Sequence, residues 1–148
     1  MDLTFSKEDL DFQAEVRDFL TSEYPLAIKE KQDKRLPLEK EDIISWQKIL
    51  ASKGWFAINW PKEYGGAGLT PTQIYILQTE LAGANTPILI PFGVNMCGPV
   101  IYTFGTEEQK KKYLPFLKVA SYLVSLLFQE DTQKSENLLL LLENLDLP

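Results

Sequence analysis

One stretch limits the architecture of this chain more than any other. Gly54-Trp55-Phe56-Ala57-Ile58-Asn59-Trp60-Pro61-Lys62-Glu63-Tyr64-Gly65-Gly66-Ala67-Gly68-Leu69 follows neither a helical nor a strand period. Its large rings each bury a wide apolar area, so the loop must pack onto its own domain. A helical pattern ends near Lys53 and another begins near Thr70, which makes the stretch a structural corner between two helices. A phosphate-binding loop is the sharper alternative, because glycines lead into a helix start and helix N-termini favour anions. The glycines are not spaced G-x-G-x-x-G, no Gly-Lys-Ser/Thr follows, and no clear strand precedes them, so the corner is the better reading.

Helices surround that corner. Ser6 is a good N-cap, with Glu8 and Asp9 in the first turn and Phe5 and Leu10 at hydrophobic-staple spacing. Phe12, Val16, Phe19 and Leu20 form one apolar stripe, and Pro25 ends the pattern near Tyr24. Residues 29–42 mix charges of both signs and read as a solvated loop or an exposed helix start. A second helix runs from about Leu38 to Lys53, with Ile43, Trp46, Ile49 and Leu50 on one face and Gly54 as the stop. Thr70-Pro71-Thr72-Gln73 is a capping box with proline at the first helical position. Ile74, Leu77 and Leu81 form the expected buried face of that helix, with Glu80 one step round.

Residues 88–104 are almost wholly apolar and are expected to be central and buried. Period alone does not separate strand from helix there. Pro91 and Pro99 argue against a central strand, which leaves two short buried helices split near Gly98-Pro99. Asn95 is the one strong polar side chain of the run, either bonded to backbone inside the core or lining a pocket. Thr106-Glu107-Glu108-Gln109 is a second capping box, and its helix is expected to reach Pro115.

Composition removes several chemistries. Histidine is absent, and with it the commonest general base, the Ser-His and Cys-His arrangements, and most zinc and copper sites. A net charge of −6 over 148 residues leaves no basic face for nucleic acid. Cys97 has no internal disulfide partner, which fits a reducing, cytoplasmic setting. The acidic N-terminus has no signal-peptide character, and no apolar run reaches the roughly 20 residues of a membrane span. Residues 119–148 carry a net −4 and five consecutive leucines, Leu138–Leu142, whereas the preceding 118 residues carry only −2. Leucines on every side of a helix need a partner surface, so this tail reads as a segment apart from the domain at 1–118.

Several motifs then agree in order and spacing. They are Leu50-x-x-x-Gly54-Trp55, Pro61-x-Glu63-Tyr64-Gly65-Gly66-x-Gly68, Glu80-Leu81-Ala82, Asn95-x-x-Gly98-Pro99, and Phe104-Gly105-Thr106-Glu107-Glu108-Gln109-Lys110-x-x-Tyr113-Leu114-Pro115. Residues 1 to about 118 resemble the N-terminal helical domain of acyl-CoA dehydrogenases, most like the branch with pimeloyl-CoA dehydrogenase large subunits. The resemblance implies an all-α helical bundle, packed in the family against a β-domain and a second helical domain. It implies FAD bound mainly between those later domains, a thioester acyl chain beside this one, and electrons leaving to an electron-transfer flavoprotein. The reaction is the α,β-dehydrogenation of an acyl-CoA in fatty-acid metabolism, and the flavin supplies its redox chemistry. Phe92, Asn95, Met96 and Val100 are the implied acyl-pocket residues, with plain core packing as the alternative for each.

After Leu114-Pro115 the chain departs from the family. Phe116-Leu117-Lys118-Val119-Ala120-Ser121-Tyr122 and the leucine-rich tail stand where a Trp-Cys-Gln-Gly-Tyr-Ser-Glu-Pro-Gly-type motif would open the β-domain. The expectation is a truncation or frameshift near Lys118, with no catalytic residue in these 148 and no FAD bound by this chain alone. A non-catalytic subunit docking on a full-length dehydrogenase, as a homo- or hetero-oligomer, is the second reading. A free acyl-CoA-binding module is the third, and its best phosphate candidate, Lys110 to Lys112, looks like an ordinary solvated face beside Glu107 and Glu108.

Overall fold

The computed structural model describes residues 4–89 and 92–117. The tail from Val119 and its leucine run lie outside the described residues. Two compact units divide the chain, one ending at Leu89 and one beginning at Ile90. The first holds α1 (Lys7–Glu23), α2 (Leu26–Asp33), α3 (Lys40–Ser52), a 3₁₀ turn at Lys62–Tyr64, and α4 (Pro71–Gly83). The second holds a π-helical turn at Phe92–Cys97, α5 (Gly98–Phe104) and α6 (Glu107–Leu117). The described residues are helical and contain no strand, so the fold is all-α.

Side chains start three of these helices where the sequence indicates. Ser6 Oγ accepts the Asp9 N–H at 3.1 Å, and Asp9 Oδ2 accepts the Ser6 N–H at 3.2 Å. Thr70 and Gln73 exchange the same pair at 3.2 and 3.0 Å, as do Thr106 and Gln109 at 3.2 and 2.9 Å. Each exchange satisfies N–H groups that a helix start leaves unpaired.

Helix ends share a second device. After α3, Trp55 N–H reaches Leu50 O at 2.8 Å and Gly54 N–H reaches Ala51 O at 2.9 Å, with Gly54 at φ +79°. This is the Schellman pattern, in which a left-handed residue turns the chain back over the last carbonyls. Arg35 after α2 and Asn85 after α4, both at φ +54°, make the same pair of bonds. The closure of α3 throws Trp55 back against α1, where it meets Phe12 edge-on at 5.7 Å and Phe19 at 4.9 Å between ring centres. Trp46 of α3 continues the cluster, 6.3 Å from Phe19 and 4.9 Å from Tyr24. Phe56, Ala57 and Trp60 are buried too, so the corner between α3 and α4 is core. Within that corner Gly66 N–H donates to Pro61 O at 3.1 Å, and a Cβ on Gly66 would stand 1.7 Å from the Trp60 carbonyl oxygen.

A carboxylate ties α1 to α4. Arg17 donates Nε and Nη2 to the two oxygens of Glu80 at 2.9 and 2.8 Å, and Gln13 Nε2 adds a third bond at 2.7 Å. Glu80 is only 15 % exposed, and the guanidinium holds its carboxyl below the usual range against the opposing effect of burial.

Three local expectations need correction. Of the loop and the exposed helix start expected for residues 29–42, a helix is present to Asp33 but begins earlier, as α2 at Leu26; Pro25 sits at its N-cap and Ile28 alone of the helix is buried, so no apolar stripe announces it. In α4 the buried pair is Ile76 and Leu77, with Ile74 and Leu81 half-buried, because the stripe lies one position round from the leucine spacing. Helix α6 runs past Pro115 to Leu117, since a proline in the last turn removes one hydrogen bond without ending the helix.

Gly66→Ala forces the Trp60 carbonyl to move, and should cost about 2 kcal/mol or more in chemical denaturation. Glu80→Gln should lower Tm at pH 7 by roughly 2–6 °C. A depressed folded pKa stabilises above the ordinary glutamate range and loses that contribution as pH falls through the lower folded value. The Tm gap between wild type and Glu80→Gln should therefore narrow on acidification, which a melting series from pH 7 to 3 checks.

Candidate functional site

Phe92, Asn95, Met96 and Val100 all fall on the segment from the π-helical turn into α5. Pro99 explains the change of winding. It has no N–H to give, and its ring crowds the carbonyl four residues back, so the chain before it favours a wider register than an α-helix. Such π turns are frequent at functional sites.

The structure corrects the expected burial of this run. Met96 is 55 % exposed, Val100 58 % and Phe104 83 %, and Asn95 is exposed as well. Phe92 is half-buried, while Val94 and Gly98 are buried. A helix that is apolar on every side can cover only one side by packing within its own unit, where α5 and the π turn meet α6. The other side stays open. Core packing is thus the wrong account of Asn95, Met96 and Val100, and a backbone-bonded core amide is the wrong account of Asn95. Phe92, Met96, Val100 and Phe104 instead recur every four residues as a row, and contiguous exposed apolar surface marks a place that meets something else.

Every group with a clear shift among the described residues moves away from neutrality. Glu80 is held down by Arg17, Asp33 by Lys29 and Asn85, and Asp42 by Lys31. Burial pushes the Cys97 thiol up, and burial with the Asp33 charge pushes Tyr24 up to about 12. A general base needs the opposite, a pKa brought near the working pH.

Two stretches of charged surface bear on phosphate binding. A groove of about 740 Å³ along α1 is lined by Asp11, Glu15, Asp18 and Glu23, with Lys53 among its walls. Lys53 is already bonded to Glu15 at 2.7 Å, so the groove repels a pyrophosphate. On α6, Lys110 pairs with Glu107 at 2.9 Å and Lys112 lies over the Tyr113 ring at 5.5 Å. Neither place offers a free cationic site for a phosphate.

Comparison with known proteins places the chain in a family. The family model for the acyl-CoA dehydrogenase N-terminal domain matches residues 6–120. Acyl-CoA dehydrogenase FadE26 of Mycobacterium tuberculosis is 38 % identical over 78 residues, 52 % of this chain and 19 % of its own length. The short-chain specific acyl-CoA dehydrogenase of Clostridium acetobutylicum is 32 % identical over 117 residues, 77 % of this chain and 29 % of its own. In the crystal structure of the ChsE4-ChsE5 complex from Mycobacterium tuberculosis, one chain superposes with a TM-score of 0.63 at 27 % identity, over 80 % of this chain and 29 % of that one. The chain belongs to the acyl-CoA dehydrogenase family, of which it carries the N-terminal helical domain. Its matched part spans 19–29 % of the length of these relatives.

Sequence reasoning gave the segment from Phe92 to Phe104 the wrong environment, buried where Met96, Val100 and Phe104 are exposed. It missed Gln13 and Arg17 as the partners of Glu80, since residues more than sixty positions apart leave no local spacing signal. Phe104 was also passed over, as the last residue of a run taken to be core. Because its ring stands in solvent, Phe104→Ser should change unfolding free energy by less than about 0.5 kcal/mol, whereas truncating a buried phenylalanine costs about 3–5 kcal/mol. Denaturant titration of the variant decides between the two.

Proposed function

We propose that this chain supplies the helical domain that flanks the acyl chain in the FAD-dependent α,β-dehydrogenation of an acyl-CoA thioester, and that it does not catalyse the reaction by itself. The exposed row on the π turn and α5 carries this reading. Phe92, Met96 and Val100 give an apolar wall of the kind a saturated chain needs, and Asn95 is the polar side chain beside it. Met96 adapts its shape easily, which suits a surface facing chains of different form. Flavin binding, the catalytic carboxylate and electron delivery to an electron-transfer flavoprotein then belong to polypeptide beyond residues 1–118, with 119–148 a separate segment. The lone Cys97 fits a cytoplasmic setting. Among the described residues no helix is long and apolar enough to cross a membrane.

That further polypeptide can be a second chain. The structural relative in the ChsE4-ChsE5 complex favours this reading, in which the present chain is a non-catalytic subunit docked on a flavin-bearing dehydrogenase. A free acyl-CoA-binding module fits less well, because Lys110 and Lys112 are engaged within α6.

The purified chain should stay colourless when incubated with FAD and desalted, and should show no spectral change on adding a medium-chain acyl-CoA. A retained flavin spectrum that bleaches with the thioester would overturn the proposal.

A further inference from the structure

Gln47 is a polar residue on the apolar face of α3. It stands four positions after Ile43 and three before Leu50, and it is 0 % exposed, as is its neighbour Trp46. Neither Gln47 Oε1 nor Nε2 meets a hydrogen-bonding group of the protein, and the same holds for Trp46 Nε1. Three such atoms on two consecutive, fully enclosed residues are unusual, because buried polar groups are almost always paired. A position that served packing alone would favour leucine or methionine.

The chemistry of the three atoms restricts what can satisfy them. The indole N–H only donates, while the amide donates through Nε2 and accepts through Oε1. An anion cannot donate to Oε1, a cation cannot accept from either N–H, and an apolar molecule does neither. A hydroxylic group does both. Full enclosure excludes anything that must pass a wide opening, which leaves water.

We propose that Gln47 and Trp46 form an internal water site in the buried face of α3, with at least one ordered water accepting from an N–H and donating to Gln47 Oε1. Water here is part of the helix's packing, as buried waters with several polar partners commonly are. Both residues belong to the first compact unit.

Water-to-protein cross-relaxation in the ¹⁵N-labelled full chain tests this directly. Water cross-peaks of the sign given by long-lived contacts should appear at the Gln47 side-chain NH₂ and the Trp46 indole N–H. In Gln47→Met the Trp46 cross-peak should be lost or fall severalfold while the rest of the spectrum stays dispersed. No water contact at Gln47 in the wild type, or an amide proton coupled across a hydrogen bond to a protein carbonyl, would overturn the proposal. An undiminished Trp46 cross-peak in Gln47→Met would overturn the shared site.

Discussion

The ring of Trp55 against Phe12 and Phe19 is the contact on which the first unit depends. It is made possible by a backbone event, the left-handed turn at Gly54 that closes α3 and reverses the chain. Without that reversal the indole would point away from α1, and Trp46 and Tyr24 would lose the cluster they continue. Aromatic pairs at these separations contribute about 0.5–1.5 kcal/mol each beyond their buried area. Four such contacts join α1, α3 and the corner residue, so the cluster is a large fraction of what a domain of this size has to spare. The Arg17–Glu80 clip then fixes α4 on α1 from the outside.

Much of this was legible beforehand because the signals are local. Ser6, Thr70 and Thr106 announce helix starts through a residue three positions on, and Gly54 announces an end through its own backbone freedom. The aromatic density of 54–69 was enough to place that corner in the core. What escaped has a physical reason in each case. Arg35 closes α2 in the same left-handed conformation as Gly54, but nothing about an arginine signals it. Buried Gln47 is a polar letter inside an apolar stripe, and pattern reading passes over it. For 88–104, hydrophobicity was equated with burial in this chain, whereas hydrophobicity reports only that a surface avoids water.

That distinction also carries the functional account. Met96, Val100 and Phe104 remain exposed although the first unit buries its own large rings efficiently. The family match explains why such a surface persists, since residues 6–120 align with a domain found within proteins several times longer. Asp33, Asp42 and Glu80 are held down and the Cys97 thiol is pushed up, and the α1 groove is acidic.

Hydrogen–deuterium exchange of the isolated chain, read segment by segment, tests whether the core and the open surface are divided in this way. The account predicts the slowest exchange in α1, α3 and α4 around Trp46 and Trp55, and clearly faster exchange across the π turn and α5. Slowest exchange in 92–104 would contradict it, because the apolar run would then be the core that its composition first suggested.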